Sequence, residues 1–187
     1  MISSPAAFKE WASIVKALAL GEQIIILRKG GIHETGRQFR VSHESFLLFP
    51  TYEHQNPEDL NERGRELLQE ILTAPPSPDS LTLEYFANVE KSFLIQNLDE
   101  LLQFSPYHVW SEAAVRKRYE WGKEKGLTVI VCRVYQLAQK QTLKMLPAYG
   151  GCRSWVNLEM DFSREAGRPV LTDGEFEEKL KGLAALS

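Results

Sequence analysis

The chain is poor in the features that most quickly give a function away. It has two cysteines, Cys132 and Cys152, at no metal-like spacing, and Cys132 sits in an apolar run where it reads as a small core residue. The four histidines, at positions 33, 43, 54 and 108, are scattered. No apolar run approaches the roughly 20 residues needed to span a bilayer. The opening Met-Ile-Ser-Ser-Pro is not a basic stretch followed by an apolar one, so no export signal and no membrane partner are expected, and the location expected by elimination is cytoplasmic. A formal charge of -3 excludes a basic coat over the whole surface but not one basic groove. There is no internal repeat and no low-complexity tract. Walker, His-Glu-x-x-His and Gly-x-Ser-x-Gly patterns are absent, and no cysteine lies near a histidine that would activate it.

What is present is ordinary globular material. With 187 residues, 43% of them apolar and 25% charged, the chain suits a single domain over 1–187 that needs neither metal nor disulfide to hold its core. Ser4-Pro5 is a cap-and-proline helix start, and Phe8, Trp11, Val15 and Leu18 follow at helical spacing up to Gly21. Ile24 to Leu27 reads as a strand buried on both faces, broken at Gly30-Gly31. Phe39 to Val41 and Phe46 to Phe49 read as strands, the second closed by Pro50. Asn56-Pro57-Glu58-Asp59 starts a helix carrying Leu60, Leu67, Leu68, Ile71 and Leu72. The proline-rich stretch 74–80 is a loop. Leu81 to Ala87 has a strand pattern that Val89 to Ile95 either pairs with or continues, Leu98 to Phe104 is a helix, and Ser111 caps another. The β-branched run in Leu127 to Leu137 is the strongest strand. Shorter strands flank Tyr149-Gly150-Gly151, and Thr172 to Glu175 has capping-box spacing before a last helix over 173–183. Strands and helices do not alternate regularly. The expected class is therefore α+β, with a mixed, mainly antiparallel sheet flanked by helices.

Unusual polar chemistry is concentrated at a few strand ends. Arg28 and Lys29 followed by Gly30 and Gly31 set two cations beside exposed backbone N–H groups, a combination suited to phosphate or carboxylate; it equally describes a glycine turn with solvated charges. Pro50, Thr51, Tyr52, Glu53, His54 and Gln55 follow directly on a buried strand. His54 there is a base or ligand oriented by Glu53, or a group satisfying backbone ahead of Asn56. Tyr107, His108, Trp110, Arg116, Arg118, Tyr119 and Trp121 interleave aromatics with cations, as surfaces that stack bases do, although an amphipathic helix packing Val115, Tyr119 and Trp121 accounts for the aromatics equally well. Arg133 stands mid-strand among Val129, Val131 and Tyr135, so it needs either a pair, with Glu84 or Glu90, or a groove.

The runs from Phe8-Lys9-Glu10-Trp11 through Arg28-Lys29-Gly30-Gly31-Ile32 and from Phe46 through Pro50-Thr51-Tyr52-Glu53-His54-Gln55, with the later Arg118-Tyr119-Glu120-Trp121 and Arg133-Val134-Tyr135-Gln136-Leu137, resemble the bacterial family known as domain of unknown function 1802. That resemblance spans nearly the whole chain and implies no activity. The segment from Gly21 to Arg28 also resembles the Gly-x-Lys-x-x-Glu-x-Arg motif of ASCH domains at its glycine and arginine, with Gln23 and Ile26 in place of the lysine and glutamate. This second resemblance implies a PUA-like barrel and a binding groove without ASCH-type catalysis.

Three function classes remain. The first is a non-catalytic module binding RNA, DNA or a nucleotide, without a cofactor, through Arg28, Lys29, Gly30 and Gly31 with Tyr52, His54 and Arg133 along the groove. The second is a metal-assisted phosphodiester hydrolase using His33 or His54 with Glu34 or Glu53. The third is a protein-interaction domain. The first expects Arg28, His54 and Arg133 to share one concave surface.

Overall fold

The computed structural model describes residues 2–29, 41–162 and 167–186. In chain order the strands are β1 (Ile2–Ser3), β2 (Ala6–Trp11), β3 (Ile25–Arg28), β4 (Ser45–Thr51), β5 (Ser80–Ile95), β6 (Leu127–Lys144), β7 (Trp155–Asn157), β8 (Asp161–Phe162) and β9 (Arg168–Pro169). The α-helices are α1 (Ala12–Ala19), α2 (Glu62–Thr73), α3 (Leu98–Leu102), α4 (Glu112–Glu120) and α5 (Asp173–Ala184). The main sheet runs β3-β6-β5-β4-β2-β7, with β9 beside β6, while β1 and β8 form a separate pair. Every pairing is antiparallel except β2 with β4, so the sheet is mixed and mainly antiparallel, and the class is α+β.

Each face of this sheet carries a core. Alternation along β4 sends Phe46 and Leu48 to one, with Phe8, Leu18, Leu67, Val115 and Phe176, and Leu47 and Phe49 to the other, with Ala7, Leu83, Phe86, Tyr149 and Val156. Ile24 to Leu27 and Leu127 to Cys132 are buried throughout, because β3 and the first half of β6 are covered on both faces. In a flat sheet β3 and β2 would lie four strand spacings apart, about 19 Å. Instead an Arg28 guanidinium N–H donates to the Lys9 carbonyl of β2, so the sheet curls until its far strands meet through one side chain.

Several expectations need correction. Residues 6–11 form a strand, and the helix starts only at Ala12. Pairing with β4 on one side and β7 on the other uses the backbone groups that a helix would have needed. The helix start at Asn56 is a 3-10 turn over Pro57–Asp59, capped by Asn56, and α2 begins after a second cap, Asn61, whose side chain accepts from Gly64 N–H. Pro50 lies inside β4, facing Glu10 of β2. The pairing of β4 with β5 covers only Ser45 to Leu47, so the missing proline donor leaves no ladder bond unmade there. Of the two arrangements open for Val89 to Ile95, it continues Leu81 to Ala87 in one strand, β5, with two bulges, whereas β6 absorbs the separate strand expected at Thr142. Val41 is not in a strand, and Phe39, Arg40 and the Gly30-Gly31 break lie outside the described residues. The loop expected over 74–80 ends one residue earlier, since Ser80 already pairs with Lys144, and the Ser111 cap and both halves of the Thr172–Glu175 capping box are as expected. Among the described residues no helix is long and apolar enough to cross a membrane.

Candidate functional site

The strand residues expected to form one surface do not converge. Arg28 faces Thr128 across the β3–β6 ladder, and Arg133 lies five residues further along β6, about 17 Å away and on the opposite face. Arg133 is engaged there. Its guanidinium pairs with Asp173 at the start of α5, not with Glu84 or Glu90, and lies 5.1 Å from the Phe176 ring. The hydrogen bond to Asp173 holds its pKa above the usual arginine value. Lys29 is also engaged: its Nζ donates to the carbonyls of Tyr119 (2.9 Å), Glu124 (2.6 Å) and Gly126 (3.1 Å), clipping the turn that ends α4. Burial in that turn lowers its pKa. His54 is exposed in a turn with φ of 60°. Tyr52 beside it is 42% exposed, and its phenol is pushed up by desolvation and by Glu84. Gln55 accepts from Ser13 N–H (3.1 Å) and Oγ–H (3.0 Å), supplying the cap that Trp11 cannot give α1. Gly30, Gly31, His33 and Glu34 lie outside the described residues. Among the described residues no three His, Cys, Asp or Glu side chains gather as metal ligands would.

What Arg28 does join is a second arginine. Alternation along β2 places Glu10 on the same face as Phe8, where it is only 2% exposed. Glu10 Oε1 accepts the Trp11 N–H at 2.8 Å, and Oε2 lies 3.9 Å from Arg28 Nη2. The Arg28 guanidinium sits over the Phe8 ring at 4.5 Å. Arg118 comes to the same place from α4. Its guanidinium stacks on Trp110 at 3.5 Å and lies 5.9 Å from Trp11, and the two indoles are 4.7 Å apart. Trp110 is held there because residues 108–111 zip onto the turn before α2: Asn61 N–H donates to the Val109 carbonyl and Ser111 N–H to that of Asp59, both at 2.9 Å. Gly64 is required at this junction, since a Cβ there would come 2.7 Å from the Val109 carbonyl oxygen.

The electrostatics of the cluster are unusual. Burial pulls the Arg118 pKa down to about 10; Glu10 opposes the shift, Arg28 adds to it, and Asp59 opposes it. Arg118 therefore stays charged at neutral pH. It is half-buried, yet among the described residues no oxygen accepts a hydrogen bond from its guanidinium. Glu10 Oε2, Arg28 Nε and Trp110 Nε1 are fully buried without a hydrogen-bond partner among the described residues. His108 Nδ1 accepts the Trp110 N–H at 3.2 Å, and burial keeps the ring neutral by lowering its pKa to about 4. Two arginines, one carboxylate and two indoles thus form a charged, aromatic and incompletely satisfied cluster where β2, β3 and α4 meet. Such a cluster can take an anion on the guanidinium edges and a planar group against an aromatic or guanidinium face. Sequence reading singled out Arg28 and the 107–121 segment separately. It missed Glu10, whose only signal is a carboxylate in a strand that reads as a helix.

The model of one family, described as domain of unknown function (DUF1802), matches residues 7–181. No curated protein matches the chain. Crystal structures of the ASCH protein from Zymomonas mobilis are similar over nearly the whole length. One variant aligns with 13% identity over 97% of this chain and 99% of its own, at a TM-score of 0.49. A second aligns with 15% identity over 96% and 98%, at 0.48, and the unsubstituted protein with 12% over 95% and 94%, at 0.47.

Proposed function

The chain belongs to the DUF1802 family, and we propose that it is a non-catalytic module that binds the phosphate of a nucleic acid or nucleotide at Arg28 and Arg118. The observation that carries this reading is the state of Arg118. A half-buried guanidinium, stacked on one indole and next to a second arginine, has no hydrogen-bond acceptor among the described residues. A phosphate oxygen would supply that acceptor and balance the two cations, which a single carboxylate at 3.9 Å from Arg28 does not. Flat aromatic and guanidinium faces in the same cluster favour a ligand that carries a base as well as a phosphate. Gly30 and Gly31 follow Arg28 and Lys29 in sequence, and their backbone N–H groups remain part of the proposal.

The test is binding of a 5′-fluorescein hexaribonucleotide at about 20 mM salt, followed by anisotropy. Charge-assisted hydrogen bonds of about 1.5–3 kcal/mol predict that Arg118→Ala weakens binding by roughly 10- to 100-fold. Arg133→Ala, across the sheet, should bind as the parent does, and both variants should keep the parent far-UV circular dichroism spectrum. Absence of binding at low salt, or an unchanged affinity in Arg118→Ala, would overturn the proposal.

A further inference from the structure

Beyond a phosphate at Arg118, we infer that the ligand is a single strand of at least two nucleotides, and that Trp121 with the basic turn after α4 carries the second; this rests on the reading of Arg118 given above. Trp121 is 52% exposed. It lies three residues beyond Arg118; its N–H still donates to the Lys117 carbonyl and its φ is -66°, so its Cβ keeps its helical place beside Arg118. Residues three apart on a helix have Cβ atoms about 5–6 Å from each other. Among the described residues the Trp121 ring has no aromatic or cation partner.

The surroundings of that ring point to nucleic acid and not to protein. Between Arg116 and Lys125 there are five cations and two carboxylates, in a chain whose formal charge is -3. Arg116 is paired with Glu112 and Lys125 with Glu120, while Lys117 and Lys123 are exposed and have no ion pair among the described residues. Lys29 lends the same turn a further positive charge through the three carbonyls it holds. An apolar protein partner would need a continuous apolar patch, whereas Trp121 is flanked by Glu120, Gly122 and Lys123. An indole among cations is the composition of a stacking platform for an unpaired base whose backbone runs past lysines. A duplex offers no free base face, so the strand must be single.

The experiment compares a 5′-mononucleotide, a trinucleotide, a single-stranded hexamer and a 12-base-pair duplex on the parent protein and on Trp121→Ala, Lys117→Gln and Lys123→Gln. The parent should bind the hexamer at least tenfold more tightly than the mononucleotide and more tightly than the duplex. Trp121→Ala should lose about tenfold on the hexamer and leave the mononucleotide unchanged. Each lysine variant should lower the salt slope for the hexamer by about 0.7. Equal affinity for mononucleotide and hexamer, a duplex bound as tightly as the single strand, or an unchanged hexamer affinity in Trp121→Ala would each overturn the inference while leaving the anion site standing. Failure of every ligand to bind would overturn both.

Discussion

Glu10 shows how one side chain can serve stability and oppose binding. Its carboxylate is the buried counter-charge to Arg28 and, at longer range, to Arg118. Removing one member of a buried charge cluster leaves the others uncompensated, which costs about 3–5 kcal/mol when all are fully buried. Arg28 and Arg118 keep part of their solvent contact, so Glu10→Gln should cost less, on the order of 2 kcal/mol, read as a lower urea midpoint. The same substitution removes the negative charge nearest the proposed anion position. Hexanucleotide affinity should therefore rise as stability falls. A variant that lost both would mean that Glu10 contacts the ligand or only shapes the fold.

At the scale of elements, the decisive contacts come from outside the element they fix. The end of α4 is held by Lys29 of the β3 end, which donates to the Tyr119 carbonyl in the last turn of the helix and to the Glu124 and Gly126 carbonyls in the turn that follows it. Lys29→Met keeps the aliphatic stem and removes all three bonds. It should raise the hydrogen-exchange rates of amides over 117–126 by about tenfold or more while α2 and α5 keep theirs; uniform acceleration would show that the clip is global. The legibility of the elements follows the same division. The caps at Ser111 and Thr172 are local hydrogen bonds to their own helices, and the sequence spells them out. Ser4 and Pro5 also spell a cap, but Ser4 takes φ of 56° and the following residues pair with β4 and β7, partners that come 40 or more residues later. Local spacing of Phe8, Trp11 and Val15 carries no information about those partners. Asn56 is a true cap, and the turn it caps is short because Leu60 leaves it to pair with Trp110.

For the whole molecule, His108 links folding to pH. Its ring is neutral in the folded chain down to about pH 4, whereas in the unfolded chain it takes up a proton near 6.5. The stability from this group is complete above pH 6.5 and is lost as pH falls, by about 3 kcal/mol at pH 4. The carboxylates held below their ordinary 4.5, Glu22, Glu70 and Glu175, add their losses only lower down. Urea midpoints measured between pH 6.5 and 5 should therefore drop in the parent and stay level in His108→Asn, which keeps an acceptor for Trp110 N–H; parallel profiles would assign the slope elsewhere. The candidate site was only half legible for a reason that also belongs to this scale. Arg28 and the 107–121 aromatics announce themselves by composition, but the curl that brings β2 and Glu10 to them depends on the order of the whole sheet. That curl gives β3 a reading frame. Arg28 reaches back to β2 and its neighbour Lys29 reaches out to α4, so consecutive side chains tie the strand to opposite sides of the molecule. Gain or loss of one residue after Leu27 would exchange their destinations, and gain or loss of two would restore the faces but shift both ties by about 7 Å. The length of this short segment is thus as much a part of its chemistry as the residues in it.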